Sequence, residues 1–425
     1  MQSNCNCNLL ATSNLFLPMK HYTHSLVLAF RASALGALLS VGLSTAEAQT
    51  DEEDFVYHVG EESPIAGHGF SIGGFIFPEL FITGTGGLFE PGSNPEDYSN
   101  SEHDPANEIG IQSIELDLAF LFSDTLSGFV SGAGFQTGDH EWEAELEEAF
   151  LSVQINDSIS VAGGQFLNEV GFQAHRHTHA WDFVNQNLIN GRFLNEGHLI
   201  TQGGRVTIDS PETGILTLGV GGVRSHSHEE EEEEEHAVEA HGSEFTQFVF
   251  TVDHKFQLPS DPSLTIASFL SGGENGIYDE TYVFGVGFRK IWNGHNHGSG
   301  APEFCTGAVQ LQSEFMKRTV QGLNEDGELF DFDDYGFSTS ILYGLTDSII
   351  LSLRHDFVSE VEHSEMYATH RISPAITAFF GPDNRIRTRL QYDYVDHEEV
   401  GGEHVAWFQV MLYLGGDGTH AGHNH

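Results

Sequence analysis

The sequence predicts an all-β fold, a transmembrane antiparallel β-barrel of about sixteen strands. Three observations carry that expectation. Apolar and polar residues alternate with period two in segment after segment, as where Ile114, Leu116, Leu118 and Phe120 interleave with Glu115, Asp117 and Ala119. Side chains point to opposite faces along a strand, so this pattern gives one apolar and one polar face. Connections then switch between tight turns and long polar loops, as they do between the two ends of an outer-membrane barrel. Finally, the N-terminus reads as an export leader.

In that leader, Lys20, His21 and Arg31 form a positive region, Ala32 to Leu43 a short apolar core, and Ala46-Glu47-Ala48 a small-x-small cleavage pattern. Residues 1–48 are therefore expected to be a signal peptide, because about twelve apolar residues are too few for a membrane helix. Residues 49–68 form an acidic lead-in. The barrel is expected over 69–414, followed by a His-rich tail over 415–425.

The strands are placed near 69–82, 109–122, 126–138, 143–156, 158–167, 200–209, 214–224 and 244–254. The remaining eight fall near 263–272, 280–291, 303–319, 333–344, 347–360, 366–379, 385–397 and 403–414. No segment shows a helical period of 3.6 residues. Tight turns are read at Ser123-Asp124-Thr125, Asn156-Asp157, Ser210 to Thr213, Thr346-Asp347 and Gly381 to Asn384, all rich in turn-forming residues. Long connections are read at 83–108, 168–199, 225–243, 273–279, 320–332, 361–365 and 396–402. With the first strand running outward, all of these lie at the outer end. A soluble sandwich would share the alternation. The leader, the even strand count, the loop asymmetry and aromatics near strand ends (Tyr392, Tyr394, Trp407, Tyr413) favour the membrane barrel.

Composition narrows the function. The chain has 63 acidic against 16 basic side chains, a formal net charge of -47, and 25 His among 425 residues. Such a field repels nucleic acid and concentrates cations. After the leader only Cys305 remains, which excludes an intramolecular disulfide and a Cys-based metal site. No nucleotide-binding loop or nucleophile elbow occurs, and the sequence reads as non-enzymatic.

Four features carry candidate chemistry. Loop 168–199 holds His175, His177, His179 and Asp182, an imidazole and carboxylate set of the kind that binds Zn²⁺, Ni²⁺ or Cu²⁺. If the backbone is extended, the three His share one side. The same loop carries Trp181, Phe183, Leu188, Ile189, Phe193 and Leu194, so it is expected to pack, into the barrel mouth or against a neighbouring subunit. The second feature is His226, His228, seven consecutive Glu, His236 and His241, which reads as a mobile metal antenna or a solvated acidic loop. Smaller groups such as His295 with His297, His397 with Glu398, and the tail His420, His423 and His425 repeat the theme. Fourth, Arg385, Arg387 and Arg389 alternate with Ile386, Thr388 and Leu390, and Arg354 with Leu353. These arginines are expected to line the lumen, facing an acidic wall of Glu115, Asp117, Glu145 and Glu147 or Glu148. They would tune ion selectivity or pair to hold the strands.

Two motifs carry a family resemblance. Gly163-Gly164-Gln165-Phe166-Leu167, leading into a long loop, resembles the corresponding segment of general and phosphate-selective porins. His175-x-His177-x-His179-x-Trp181-Asp182-Phe183, with Arg192-Phe193-Leu194, Gly197 and the closing Phe408-Gln409 and Leu414-Gly415, is similar to a group of His-rich outer-membrane proteins. That group is often labelled zinc-regulated, TonB-dependent outer-membrane receptors. The resemblance implies a porin-like outer-membrane barrel connected with zinc, embedded in outer-membrane lipid, with a homotrimer as the porin expectation. TonB-dependent transporters close ~22 strands around a plug; the chain left after the leader is filled by about sixteen strands and their loops, so no separate plug domain is expected. The function expected is a channel that concentrates and passes divalent metal ions, zinc first. A metal-binding receptor or store with a blocked pore, and an anion-selective porin using the arginine row, are the alternatives.

Overall fold

The computed structural model describes residues 70–71, 75–89, 101, 103–138, 140–195, 197–224, 245–276, 279–294, 305–323, 329–361, 366–381, 384–397 and 401–415. The expected signal peptide, lead-in and tail beyond Gly415, and the antenna residues His226, His228, His236 and His241, lie outside the described residues.

After a two-residue strand, β1 (Phe70–Ser71), come β2 (Phe75–Phe89), β3 (Ile109–Ser123), β4 (Leu126–Gln136), β5 (Trp142–Asn156) and β6 (Ile159–Leu167). Beyond loop 168–199 follow β7 (Ile200–Ser210), β8 (Gly214–Val223), β9 (Phe245–Leu258), β10 (Asp261–Asn275) and β11 (Glu280–Trp292). The chain continues through β12 (Val309–Leu323), β13 (Leu329–Thr346), β14 (Ile349–Val358), β15 (Thr369–Phe380), β16 (Ile386–His397) and β17 (Gly401–Gly415). Each strand from β2 onward pairs antiparallel with its sequence neighbour, and β17 closes on β2 in the register Val405↔Phe89 to Gly415↔Glu79. The result is a closed sixteen-stranded barrel, β2 to β17, in which no sheet edge is left unpaired.

The alternation sorts as the period-two pattern requires. On β3, Glu115 and Asp117 are 0% and 1% exposed and face inward, whereas Leu116 between them faces out. On β16, Arg387, Arg389, Gln391 and Asp393 are buried inside and Ile386, Leu390 and Tyr392 are exposed outside. Leu151, Val153, Phe248, Phe250, Phe284, Val286, Phe288, Leu351, Leu353, Ile372 and Phe408 extend the apolar exterior around the barrel. The polar faces are thus buried and the apolar faces exposed, which is the arrangement for lipid rather than water.

Most strand ends fall within a few residues of expectation, and the exceptions are instructive. β2 runs on to Phe89 through Thr83-Gly84-Thr85-Gly86-Gly87, which reads as loop in sequence; pairing with β17 on one side and β3 on the other holds these glycines extended. β10 and β13 extend into segments expected as long loops, leaving only 276–279 and 324–328 between strands. β12 begins at Val309 rather than near 303. The long connections at one end are therefore 90–108, 168–199 and 224–244, with a shorter one at 359–368, whereas the other end has tight turns apart from one long connection, 293–308. One short helix, α1 (Leu188–Phe193), and a 3₁₀ turn at Thr178–Ala180 lie in loop 168–199, where no helix was expected. Six residues are fewer than two turns, too few to show a period. The helix is held by its cap, Asn187, whose side chain accepts from the Asn190 amide at 2.9 Å.

A charge placed on the lipid face should be costly. Leu353→Arg, near the middle of β14, is expected to destabilise the barrel by ~2–4 kcal/mol. Glu212→Arg in an exposed turn should stay within ~0.5 kcal/mol. Urea unfolding in lipid vesicles checks both.

Candidate functional site in the barrel lumen

Loop 168–199 lies inside the barrel. Val170, Ala174, Val184, Gln186, Ile189, Asn190, Leu194 and Leu199 are each fully buried. A backbone removed from water must have its donors and acceptors met, and the inward polar faces meet them on every side. Asn168 donates its amide to the Leu199 carbonyl, closing the base of the loop. The amides of Gly171 and Phe172 donate to Asp253 and Glu314. The Val184 amide donates to Gln391 Oε1 at 2.8 Å, and its carbonyl accepts from Gln112 Nε2 at 2.8 Å.

The wall has three chemical sectors, and the loop is sorted against them. An apolar sector of Phe245 and Val249 (β9), Phe269 (β10), Val283 (β11), Met316 (β12) and Val358 (β14) packs on Val170, Ala174, Leu188, Ile189, Phe193, Leu194 and Leu199. A basic sector on β12 and β14 to β16 binds loop carbonyls. Arg389 Nη2 donates to Trp181 O at 2.8 Å, Arg354 Nη1 to Asn185 O at 2.8 Å, Arg318 Nη1 to Arg192 O at 3.1 Å, and Arg371 to Gln186 O. Arg354 also lies over the Phe183 ring, 4.4 Å from its centroid. The third sector is acidic, with Glu115 and Asp117 on β3 and Glu145, Glu147 and Glu148 on β5.

The histidines enter this acidic sector. His177 places Nδ1 3.0 Å from Glu147 Oε2 and Nε2 3.0 Å from Glu148 Oε2. An imidazole donates from both nitrogens only as the cation. Burial alone would push the His177 pKa down, but Glu147 and Glu148, with Asp117 beyond, hold it well above the ordinary imidazole range. In this arrangement His177 is a buried counter-ion, and a protonated imidazole cannot coordinate metal. His179 places Nδ1 2.6 Å from Glu115 Oε2 and stacks on Phe81 at 3.7 Å between ring centroids. Ser113 donates to the other Glu115 oxygen at 2.6 Å.

His175 and Asp182 stand apart from this cluster. His175 is half-buried. Asp182 pairs with Arg176 at 2.9 Å; burial works to raise its pKa, but Arg176, then Arg389 and Arg289, hold it below the ordinary carboxylate value. The backbone turns at Gly171 to Arg176 and tightens into the 3₁₀ turn at Thr178–Ala180, so the extended geometry that would align three His is absent. Among the described residues, His175, His177, His179 and Asp182 do not converge on one point. The group whose ligand atoms all lie within 4.8 Å of one another is His103, Glu145 and Glu147.

Of the arginines expected to line the lumen, Arg354, Arg387 and Arg389 do so, bound to the loop, whereas Arg385 precedes β16 and is half-buried. Glu115 and Asp117 face inward as expected. Sequence reading missed Arg371 and Asp356, which pair at 2.8 Å, although both alternate with outward residues such as Ile372. It also missed His103, a single imidazole in a polar connection with no periodic signal around it.

No family model matches this sequence, and no curated protein matches it. The fold has solved counterparts. The chain is similar to the outer membrane channel DcaP of Acinetobacter baumannii, at 8% identity over 80% of this chain and 97% of that one, with a TM-score of 0.52. It is also similar to OmpT of Vibrio cholerae in its trimer form, at 11% identity over 80% and 99% with a TM-score of 0.48. The anion-selective porin from Comamonas acidovorans gives 9% identity over 80% and 99%, with a TM-score of 0.46. These likenesses bear on the barrel fold alone, and DcaP carries them.

Two outcomes follow for the loop. Gly171 has φ +67°, and a Cβ there would lie 1.8 Å from Glu314 Oε1. Gly171→Ala should cost ~1–2 kcal/mol in backbone strain, displace the Glu314 anchor and raise solute permeability in liposome swelling. Gly381→Ala, at φ +81° in a turn with nothing within 4 Å, should leave permeability unchanged. The raised His177 pKa means that its pairing stabilises loop docking fully below the unfolded value of ~6.5. That contribution is lost as pH rises through the higher folded value. Single-channel noise should therefore increase as pH is raised through that value, and unchanged noise there on the alkaline side would contradict this assignment.

Proposed function

We propose that the protein is an outer-membrane, porin-like channel whose lumen is narrowed by loop 168–199, and that its cargo is divalent metal cations, zinc first. One observation carries the reading: five carboxylates, Glu115, Asp117, Glu145, Glu147 and Glu148, are gathered on one lumen wall with the imidazoles of His103, His177 and His179 set among them. Burying so many carboxylates is costly unless cations accompany them. A wall of this kind attracts and partly strips a hydrated cation while repelling anions. The net charge of -47 supplies the same sign over the whole molecule. The barrel exterior suits outer-membrane lipid, and a homotrimer belongs to the same reading as the porin resemblance implies it.

The arginine sector favours an anion channel less than its sequence suggests. Arg318, Arg354, Arg371 and Arg389 donate to loop carbonyls or to Asp334, Asp356 and Gln409, so their charge is engaged within the protein. The complete burial of much of the loop favours a second reading, a metal-binding receptor with a closed lumen.

Proteoliposomes holding a zinc-sensitive dye separate the readings. Zinc influx above that of protein-free vesicles is expected, with cation-selective reversal potentials in a salt gradient. Zinc influx at the protein-free rate, together with no swelling in small sugars, would establish the closed receptor instead. Anion-selective reversal would establish the third reading.

A further inference from the structure

We propose that His103, Glu145 and Glu147 form a divalent-metal site that staples the inward part of connection 90–108 to the β5 wall. The site deepens the proposed reading by naming a residue set where the cation rests. His103 Nε2 lies 2.7 Å from Glu145 Oε1, and His103 Nδ1 lies 3.7 Å from Glu147 Oε1. One ligand atom from each of the three residues falls within 4.8 Å of the others. Zinc with nitrogen and oxygen ligands at ~2.0–2.2 Å in tetrahedral geometry needs ligand separations of about 3.3–3.6 Å. A single ion would take one of the two ring nitrogens, and separations of up to 4.8 Å would have to close by about 1 Å.

The surroundings prepare the carboxylates for a cation on one side only. Glu145 Oε2 is taken by Arg224 Nη1 at 3.1 Å. Glu147 Oε2 is taken by Ser131 Oγ at 3.0 Å and His177 Nδ1 at 3.0 Å. The remaining oxygen of each, Oε1, turns toward His103. Glu147 Oε1 is buried and accepts no hydrogen bond, although its residue is 1% exposed. A buried carboxylate oxygen without a donor is costly, and a coordinated cation would remove that cost. All three side chains are nearly inaccessible, at 1%, 4% and 1% exposure. This is a built pocket rather than a surface cluster.

An ion here would join three parts of the lumen. His103 hydrogen-bonds Thr178 through Nδ1 at 3.2 Å, and its carbonyl accepts from Gln112 Nε2 at 3.0 Å. The next residue, Asp104, accepts from the Gln186 amide at 2.7 Å. Glu147 holds His177 of loop 168–199. Metal at His103 would therefore tie residues 103–104 to β5 beside the carboxylate that already holds His177 of loop 168–199.

The test uses the full-length barrel in detergent with Co²⁺, whose visible bands report tetrahedral nitrogen and oxygen ligation. One tight equivalent is expected. His103→Gln and Glu147→Gln should each weaken it by at least the ~10–100-fold that outer partners alone command. Tight binding with the same spectrum in both variants would overturn the site. Heat-modifiable gel mobility reports whether each variant forms the barrel. X-ray absorption on wild-type protein with one zinc equivalent covers the case in which a variant does not fold. One imidazole with carboxylate oxygens is expected, and a shell of three or more imidazoles would overturn the assignment. Equilibrium binding does not depend on permeation, so zinc bound at this site without zinc influx would count against the channel reading and leave the site standing.

Discussion

The satisfaction of a buried backbone governs this molecule. A long loop inside a barrel loses water from dozens of amides and carbonyls, and it stays there only where the wall returns the lost hydrogen bonds. Arg354, Arg371 and Arg389 supply donors to the carbonyls of Trp181, Asn185 and Gln186, while Asp253, Glu314 and Gln391 accept from the amides of Gly171, Phe172 and Val184. Charged hydrogen bonds are stronger than neutral ones and lose much when either partner is removed. The inward polar faces of the strands are thus as necessary to the loop as the outward apolar faces are to the membrane.

The same constraint explains the sorting of the loop. Its apolar half rests on the apolar sector around Val249, Val283 and Met316, where no hydrogen bonds are on offer. Its carbonyl-rich middle faces arginines. The imidazoles of His177 and His179 face carboxylates, where each can act as counter-ion or, once deprotonated, as ligand. His177 occupies the first role, held between Glu147 and Glu148. The ligand geometry passes instead to His103, whose approach to Glu145 and Glu147 depends on a different connection folding inward.

Much of the architecture was legible in the sequence because a barrel strand is a local object. Glu115 and Asp117 alternate with Leu116, and Arg387 and Arg389 with Leu390, and each pattern alone specifies an inner and an outer face. β2 was less legible past Ile82, since glycines carry no face and only pairing with β17 and β3 keeps them in the strand. The apolar content of loop 168–199 signalled that it packs, but not against what.

By itself, then, the sequence determined the strand count, the faces, the identity of the unusual loop and the chemical types available for cation binding. All of these follow from residue spacing and composition, which act within a few residues. Tertiary structure decided which groups meet. Ring closure sets β3 and β5 beside the incoming His177 and His179, and the packing of residues 103–108 against the lumen wall brings His103 to Glu145 and Glu147 across large sequence separations. Such contacts depend on how the whole barrel closes, and no local pattern encodes them.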